Sequence, residues 1–313
     1  MRAYSLIAPA KINFYLEIIG DRPDGYHELA MVMQSVSLAD QIDLRANGIE
    51  QFRLTCDHPE VPADQTNLAY KAATLMAQQF PQAFQTYGAV DIAIHKRIPV
   101  GAGLAGGSTD AAAVLVGLDL IWKLGLTQPE IQQLGASLGS DVPFCVTGGT
   151  AIATGRGERL AALAALDPLY VVLAKYRSLS VSTAWAYTTY RQQFGHTYTQ
   201  TDGLEGRRQR VHSGAMVLAV SHNDGKAIAQ HLHNDLEKIV LPALPQVQQL
   251  RAELAHLSSL GAMMSGSGPS VFALATSRAN AETIQAELKA ALPDPDLEVW
   301  VAQTIASGIQ LKQ

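Results

Sequence analysis

The chain has 313 residues, enough for two ordinary domains or one large one. Hydrophobic residues make up 48% and charged residues 16%, a globular composition that excludes a disordered chain. The net charge of −5 argues against a nucleic-acid binder, which usually carries a basic face. The one dense basic spot, Arg207, Arg208 and Arg210, sits in a polar segment that reads as a solvated loop. The two cysteines, Cys56 and Cys145, form neither a disulfide framework nor a metal-like spacing, and the histidines show no HxH or HExxH pattern, so no protein-held metal site is expected and a reducing cytoplasm fits. The N-terminal MRAYSLIAPAKINF lacks a charged start followed by a long apolar run, so it does not read as a signal peptide. No apolar run reaches the ~18 residues of a spanning helix, and no membrane partner is expected.

In chain order, Tyr4–Ile19 alternates as a strand interrupted at Pro9, and Gly20–Gly25 is a turn by composition. Met31–Leu44 reads as a strand pair, Asn67–Gln79 as a helix and Val90–Ile94 as a short strand. Beyond a glycine-rich stretch, Asp110–Leu124 reads as a helix with N-cap oxygens from Ser108, Thr109 and Asp110, closed by Gly125. Thr127 and Glu130 have capping-box spacing, which predicts a helix to Leu138 with its stop at Gly139. Thr147–Thr154 and Tyr170–Ala174 are strand-like. The loop-like Ala161–Pro168 between them carries the expected domain boundary, dividing the chain into residues 1–164 and 165–313. Gly195–Ser213 reads as a surface insertion. The remainder predicts helix (Asp224–His233), helix (Pro245–Leu257), glycine turn (Ser265–Gly268), strand (Ser270–Ala275), helix (Ala279–Leu292) and strand (Leu297–Gln303). Helices on one side of a mixed sheet, twice over, give an α+β fold.

The glycine-rich stretch IPVGAGLAGGSTDAA (Ile98–Ala112) carries four glycines ahead of a helix. Gly101, Gly103 and Gly106 match the dinucleotide fingerprint GxGxxG, but that motif needs a second strand closed by an acid. Here the helix is followed by LTQPEIQQLGASLG, itself helical, and Pro99 stands where an uninterrupted strand is required, so a dehydrogenase is rejected. The P-loop pattern fails because Gly107, not Lys, precedes Ser108. What remains is the physical core of both motifs. Backbone N–H groups at a helix N-terminus attract phosphate, glycines allow close approach, and the hydroxyls of Ser108 and Thr109 can serve a phosphate or a bound Mg²⁺. A tight structural turn is the competing reading.

Three separated blocks then come together: PAKINF (Pro9–Phe14) with GDRPDGYHE (Gly20–Glu28), the glycine loop with SDVPF (Ser140–Phe144), and MSGSGP (Met264–Pro269). In that order and spacing they resemble the GHMP kinase superfamily, and within it the kinases that act on a CDP-methylerythritol acceptor. The AKIN and DGYH segments carry the narrower resemblance, and HNDLEK (His233–Lys238) resembles the C-terminal half of the same kinases. Ala105 stands where those kinases often carry Gly, and Thr109 where they carry Ser.

The resemblance implies a two-domain GHMP kinase fold. Its N-terminal nucleotide-binding domain contains a left-handed βαβ unit, and its C-terminal α+β domain completes a cleft. It implies ATP with Mg²⁺ as the phosphoryl source and CDP-methylerythritol as the acceptor. By the same implication Lys11 and Asp141 carry the transfer. Pro99, Gly101, Gly103, Leu104, Ala105, Gly106, Gly107, Ser108 and Thr109 hold the phosphates, with Asn67 and Lys96 on the ATP side. Asn13, Tyr26, His27 and Tyr187 bind the acceptor, Tyr26 and Tyr187 stacking on its base and His27 bonding the base's polar edge. Taken alone, Asp141 reads as a turn or cap residue, Tyr187 equally as a core residue, and Lys11 as a buried charge that needs a partner. A sugar or mevalonate-type acceptor, and a nucleotide binder without turnover, remain alternatives from the sequence.

Overall fold

The computed structural model describes residues 2–198, 206, 214–257 and 260–312. The expected insertion at 195–213 therefore lies mostly outside the described residues. Two long strands organise the first half. β1 (Ala3–Asp21) and β2 (His27–Ala46) pair antiparallel along nearly their whole lengths. Pro9 does not interrupt β1. The pairing shifts there, from Pro9↔Ala39 to Ala10↔Val36, so Ser37 and Leu38 bulge out of β2. A bulge is where a residue with no N–H is tolerated inside a sheet. Met31–Leu44 is likewise not a strand pair but the middle of β2. At the bulge β2 changes its second partner, from β5 (Thr150–Gly155) along residues 29–34 to β4 (Val90–His95) along residues 41–46.

β3 (Arg53–Cys56) lies parallel to β4, and β6 (Arg159–Ala162) extends the sheet from β5, so part of the segment read as a boundary loop is a strand. The outer edge of β1 is covered by two pieces from the second half of the chain, β8 (His233–Asn234) and β12 (Gln310–Leu311). The second sheet is antiparallel throughout, in the order β11-β7-β10-β9, from β7 (Tyr170–Tyr176), β9 (Gly261–Met264), β10 (Val271–Ala275) and β11 (Leu297–Gln303). Ile12, Phe14, Val32 and Val36 of the first sheet share a buried cluster with Val171, Leu173, Phe272 and Leu274 of the second. Burying a side chain such as Phe14 or Phe272 contributes roughly 2–3 kcal/mol.

On its other face the first sheet is covered by α1 (Leu68–Gln79) and α3 (Gly106–Trp122), with α2 (Pro81–Tyr87), α4 (Gln128–Leu138) and α5 (Val142–Thr147) around them. α4 carries the expected capping box between Thr127 and Glu130. Small residues let α3 lie close to the strands, and a Cβ on Gly117 would strike the Leu44 side chain. α3 starts four residues earlier than the spacing predicts. Gly106 and Gly107 are already helical, Ala105 is the N-cap, and Ser108, Thr109 and Asp110 sit in the first turn instead of capping it. The second sheet is covered by Pro245–His256 and Arg278–Ala291, near their expected positions. The helix expected over Asp224–His233 is only Gly225–Gln230, capped by Asp224, because His233 and Asn234 are drawn into β8.

One polar cluster lies buried between β2, the end of β4 and α3. Asp40 is 0%, Asp110 3% and Lys96 8% exposed. Lys96 Nζ donates to both carboxyl groups. Burial pushes the Asp110 carboxyl up to about 8, with Asp40 adding to the shift against the opposing pull of Lys96. The protonated form of Asp110 is thus favoured relative to that of an exposed carboxyl. Its folded-state value is raised, so its contribution to stability is complete below the ordinary carboxylate value of ~3.9 and is lost as pH rises through about 8. Urea unfolding at several pH values between 5 and 8 is expected to show stability falling with pH more steeply in the wild type than in Asp110→Asn. Equal slopes in the two proteins would contradict the assignment.

Candidate active site

A cavity of about 830 Å³ opens between the glycine loop, β1, the 60–67 segment, the start of α5, α6 (Thr183–Phe194) and the second glycine turn. That volume suits a small-molecule site, ~300–1,000 Å³. One wall is the N-terminus of α3. The first intrahelical bond there is Thr109 N to Ala105 O, 2.9 Å, so the N–H groups of Gly106, Gly107 and Ser108 precede it without helical acceptors. These residues line the cavity, and the dipole of a 17-residue helix adds partial positive charge at this end. A Cβ on Gly107 would meet nothing within 4 Å. The protein's own packing therefore does not require glycine at 107, and the open space suits an incoming anion. Ala105 holds φ 60, a left-handed conformation costing a residue with a Cβ roughly 1–2 kcal/mol.

β1 brings Lys11 under this loop. Its backbone N–H donates to Leu104 O at 3.1 Å, tying loop to strand. Its side chain is almost fully buried; Nζ donates to Asn13 Oδ1 at 2.8 Å and lies 3.4 Å from Asp141 Oδ2. Asp141 stands just before α5, and its side chain makes no capping hydrogen bond. Asp141 thus holds the N-cap position of α5, with its carboxylate free of a capping bond. From the opposite side comes the Ser265–Gly268 turn. Gly266 has φ 55, and a Cβ there would lie 3.5 Å from Asn13 Oδ1 and 3.6 Å from Lys11 Nζ. The turn is held by Asn234, whose Nδ2 donates to Met264 O and Gly266 O, both at 2.8 Å. Ser265 Oγ donates to Gly103 O at 3.2 Å, joining the two glycine segments.

The far end of the cavity is aromatic. Tyr26 is 51% exposed, with the Arg156 guanidinium 5.1 Å from its ring centroid. The His27 ring lies 5.1 Å from that of Tyr187. His27 Nε2 is buried with no hydrogen-bond partner, Asp21 being 3.7 Å away. Burial and then the nearby Arg191 hold the His27 imidazole below its usual value, Asp21 only partly opposing them. A ring shifted toward its neutral form, with one nitrogen that has no hydrogen-bond partner, suits the polar edge of a base. Arg191 fixes the preceding turn, donating to Asp21 Oδ1 at 2.7 Å and to Gly25 O at 3.0 Å.

Of the residues singled out from the sequence, Lys11, Tyr26, His27, Asn67, Lys96, Pro99, Gly101, Gly103, Ala105, Gly106, Gly107, Ser108, Asp141 and Tyr187 line one cavity. Three do not. Thr109 is fully buried, so the expected pair of cavity-facing hydroxyls reduces to Ser108. Leu104 contributes its carbonyl to Lys11, and Asn13, 0% exposed, supports Lys11 from behind. Asn67 caps α1 by accepting from Ala69 N and donates to Pro62 O, so both ends of its amide are engaged. Arg156, Arg191, Asn234 and Asp40 escaped the sequence reading. Only Asn234 left a signal there, in the HNDLEK block. Among the described residues no group of three or more His, Cys, Asp or Glu could hold a metal ion.

The chain is similar to known proteins along its whole length. The family description "GHMP kinases N terminal domain" matches residues 67–149 and "GHMP kinases C terminal" matches residues 213–294. A Nostoc punctiforme protein named 4-diphosphocytidyl-2-C-methyl-D-erythritol kinase is 63% identical, with 99% of each chain covered. A solved structure titled 4-(cytidine 5'-diphospho)-2C-methyl-D-erythritol kinase superposes with a TM-score of 0.75 at 31% identity, covering 96% of this chain and 98% of that one. A homoserine kinase from Cytophaga hutchinsonii, at 19% identity, shares the fold with the same TM-score of 0.75 over 100% of this chain and 98% of its own. With both halves matched and a full-length relative at this identity, the chain belongs to the GHMP kinase family.

Proposed function

We propose that this protein is an ATP-dependent kinase acting on the 2-hydroxyl of 4-diphosphocytidyl-2-C-methyl-D-erythritol. The products are the 2-phosphate and ADP, a step in non-mevalonate isoprenoid synthesis. The observation that carries the chemistry is the Lys11–Asp141 pair, 3.4 Å apart beside an N-terminal helix cradle. The substrate comes from the named relatives.

Phosphoryl transfer rests on positioning and charge stabilisation more than on covalent help from the protein. In this reading the amides of Gly106, Gly107 and Ser108 receive the triphosphate. Asp141 orients the acceptor hydroxyl and takes its proton as the oxygen bonds to the γ-phosphorus. The bond from that phosphorus to the β-bridging oxygen breaks, and ADP leaves. The Lys11 ammonium lies beside the path of the transferring group and opposes its negative charge. Mg²⁺ carried by the nucleotide would neutralise the triphosphate, with the Ser108 hydroxyl as the nearby oxygen of this chain. At the aromatic end, Tyr26 and Tyr187 offer ring faces to cytosine and His27 offers its free nitrogen. Stacking of a base on an aromatic ring is worth ~1–3 kcal/mol in single-strand binders.

The same reading assigns residues 1–164 to nucleotide binding and residues 165–313 to completing the cleft. It places the protein in the cytoplasm, and among the described residues no helix is long and apolar enough to cross a membrane.

ADP release by the purified protein with Mg·ATP is expected to depend on the CDP-methylerythritol substrate. Asp141→Asn and Lys11→Met are expected to lower kcat by about 100-fold or more, the scale of general acid–base and electrostatic terms. Near-normal turnover in either variant would overturn its role. Gly107→Ala separates ligand space from packing. Alanine is the better helix former by about 1 kcal/mol, so the thermal midpoint is expected to hold or rise while KM for ATP increases. An unchanged KM would remove Gly107 from the phosphate site.

A further inference from the structure

The buried Asp40–Lys96–Asp110 cluster lies just behind the glycine loop, and the transfer chemistry does not use it. Lys96 follows β4 directly and leads into the loop, whereas Asp110 lies in the first turn of α3, beyond it. The Lys96 Nζ to Asp110 Oδ2 bond, 2.9 Å, therefore closes the loop at its base across 14 positions of sequence. Asp40 anchors the leading side to the sheet. Its Oδ1 accepts from Arg97 N at 2.5 Å and Ile98 N at 2.9 Å, while its Oδ2 accepts from Lys96 Nζ. The closed base touches the cradle itself, since a Cβ on Gly106 would lie 3.2 Å from Lys96 Nζ and 3.3 Å from Ile98 Cγ2.

We propose that Asp40 and Asp110 are positioning residues for the nucleotide, acting through Lys96 as a brace that holds the two ends of the glycine loop in register. A glycine-rich segment loses much conformational entropy when ordered. A ligand that must order the loop binds more weakly than one that meets it already formed. The brace supplies that order before the nucleotide arrives. The Lys96 ammonium is committed to two carboxyl groups, so its part on the ATP side is to fix backbone, not to present a free charge to phosphate. The hydrogen bonds of the brace run to the sheet and to the base of the glycine loop and not to Tyr26, His27 or Tyr187, so its loss should be felt at the nucleotide end alone. The proposal rests on the kinase reading above.

The test is calorimetric titration of the full chain with ADP and, separately, with CMP as a probe of the aromatic end. Asp110→Ala leaves Lys96 paired with Asp40, so no buried charge is orphaned. The expected result is a tenfold or greater rise in Kd for ADP with Kd for CMP within twofold of wild type. Asp110→Asn, which keeps an oxygen within reach of Lys96, is expected to restore ADP affinity to within about threefold. Should the alanine variant fail to fold, Asp110→Leu fills the space and carries the same expectations. An Asp110→Ala or Asp110→Leu protein that binds ADP like wild type, or that loses ADP and CMP equally, overturns the brace alone. Wild-type protein that binds no ADP overturns the kinase reading with it.

Discussion

A lysine ammonium can lie buried in a β-strand only where oxygen acceptors and an opposite charge come to meet it. Much of this protein's cleft can be understood as the means of meeting Lys11. β1 supplies Asn13 two residues along, on the same face of the strand. The turn before α5 supplies Asp141. The second glycine turn presents Gly266 with φ 55 beside Lys11 and Asn13, where a Cβ would press on Gly103 O at 3.0 Å. Leu104 returns the first glycine loop to the lysine's own backbone. Segments far apart in sequence thus converge on one cation, and the N-terminus of α3, proposed to hold the phosphates, is placed beside it as a consequence.

In the proposed function, main-chain groups do most of the binding work at the nucleotide end, and side chains do most of it at the aromatic end. This follows from what each end has to recognise. Phosphate oxygens take N–H donors at a helix N-terminus, and bulk there would only obstruct them. A base needs flat apolar faces and a few polar atoms at its edge, which Tyr26, Tyr187 and His27 offer. Asn234 and Arg191 act at one remove. The first holds the carbonyls of the second glycine turn, and the second holds the turn that carries Tyr26 and His27.

The sequence made the regular elements legible where local chemistry decides them. Thr127 and Glu130 mark the start of α4, and Asn67 marks the start of α1 by the hydrogen bond it accepts from Ala69 N. The misreadings arose where distant partners decide. Pro9 looked like a break, yet the bulge at Ser37 and Leu38 in the facing strand absorbs it. α3 begins at Gly106 because its N-terminus is shaped as an open cradle, so the polar residues that would ordinarily cap a helix lie inside the first turn. β8 and β12 are two-residue strands that exist only because β1 has an edge to cover, and nothing local announces them. Of the site, most wall residues are legible through the family resemblance, whereas Arg156 and Arg191 are not. Asp40 and Asp110 were not, because an acid in a strand and an acid at a helix start have ordinary explanations until Lys96 is seen between them.

The activity proposed for this cleft is transfer of one phosphoryl group to the tertiary 2-hydroxyl of the CDP-linked polyol. Proton-coupled phosphorus NMR of the reaction with Mg·ATP tests it most directly. The carbon bearing that oxygen carries no hydrogen, so a phosphate placed there has no three-bond proton partner. The predicted result is a new monoester singlet that grows with ADP and only when both substrates and the protein are present. A doublet would place the phosphate on the neighbouring secondary hydroxyl and a triplet on the primary one. Either of these, or no new resonance at all, would contradict the account.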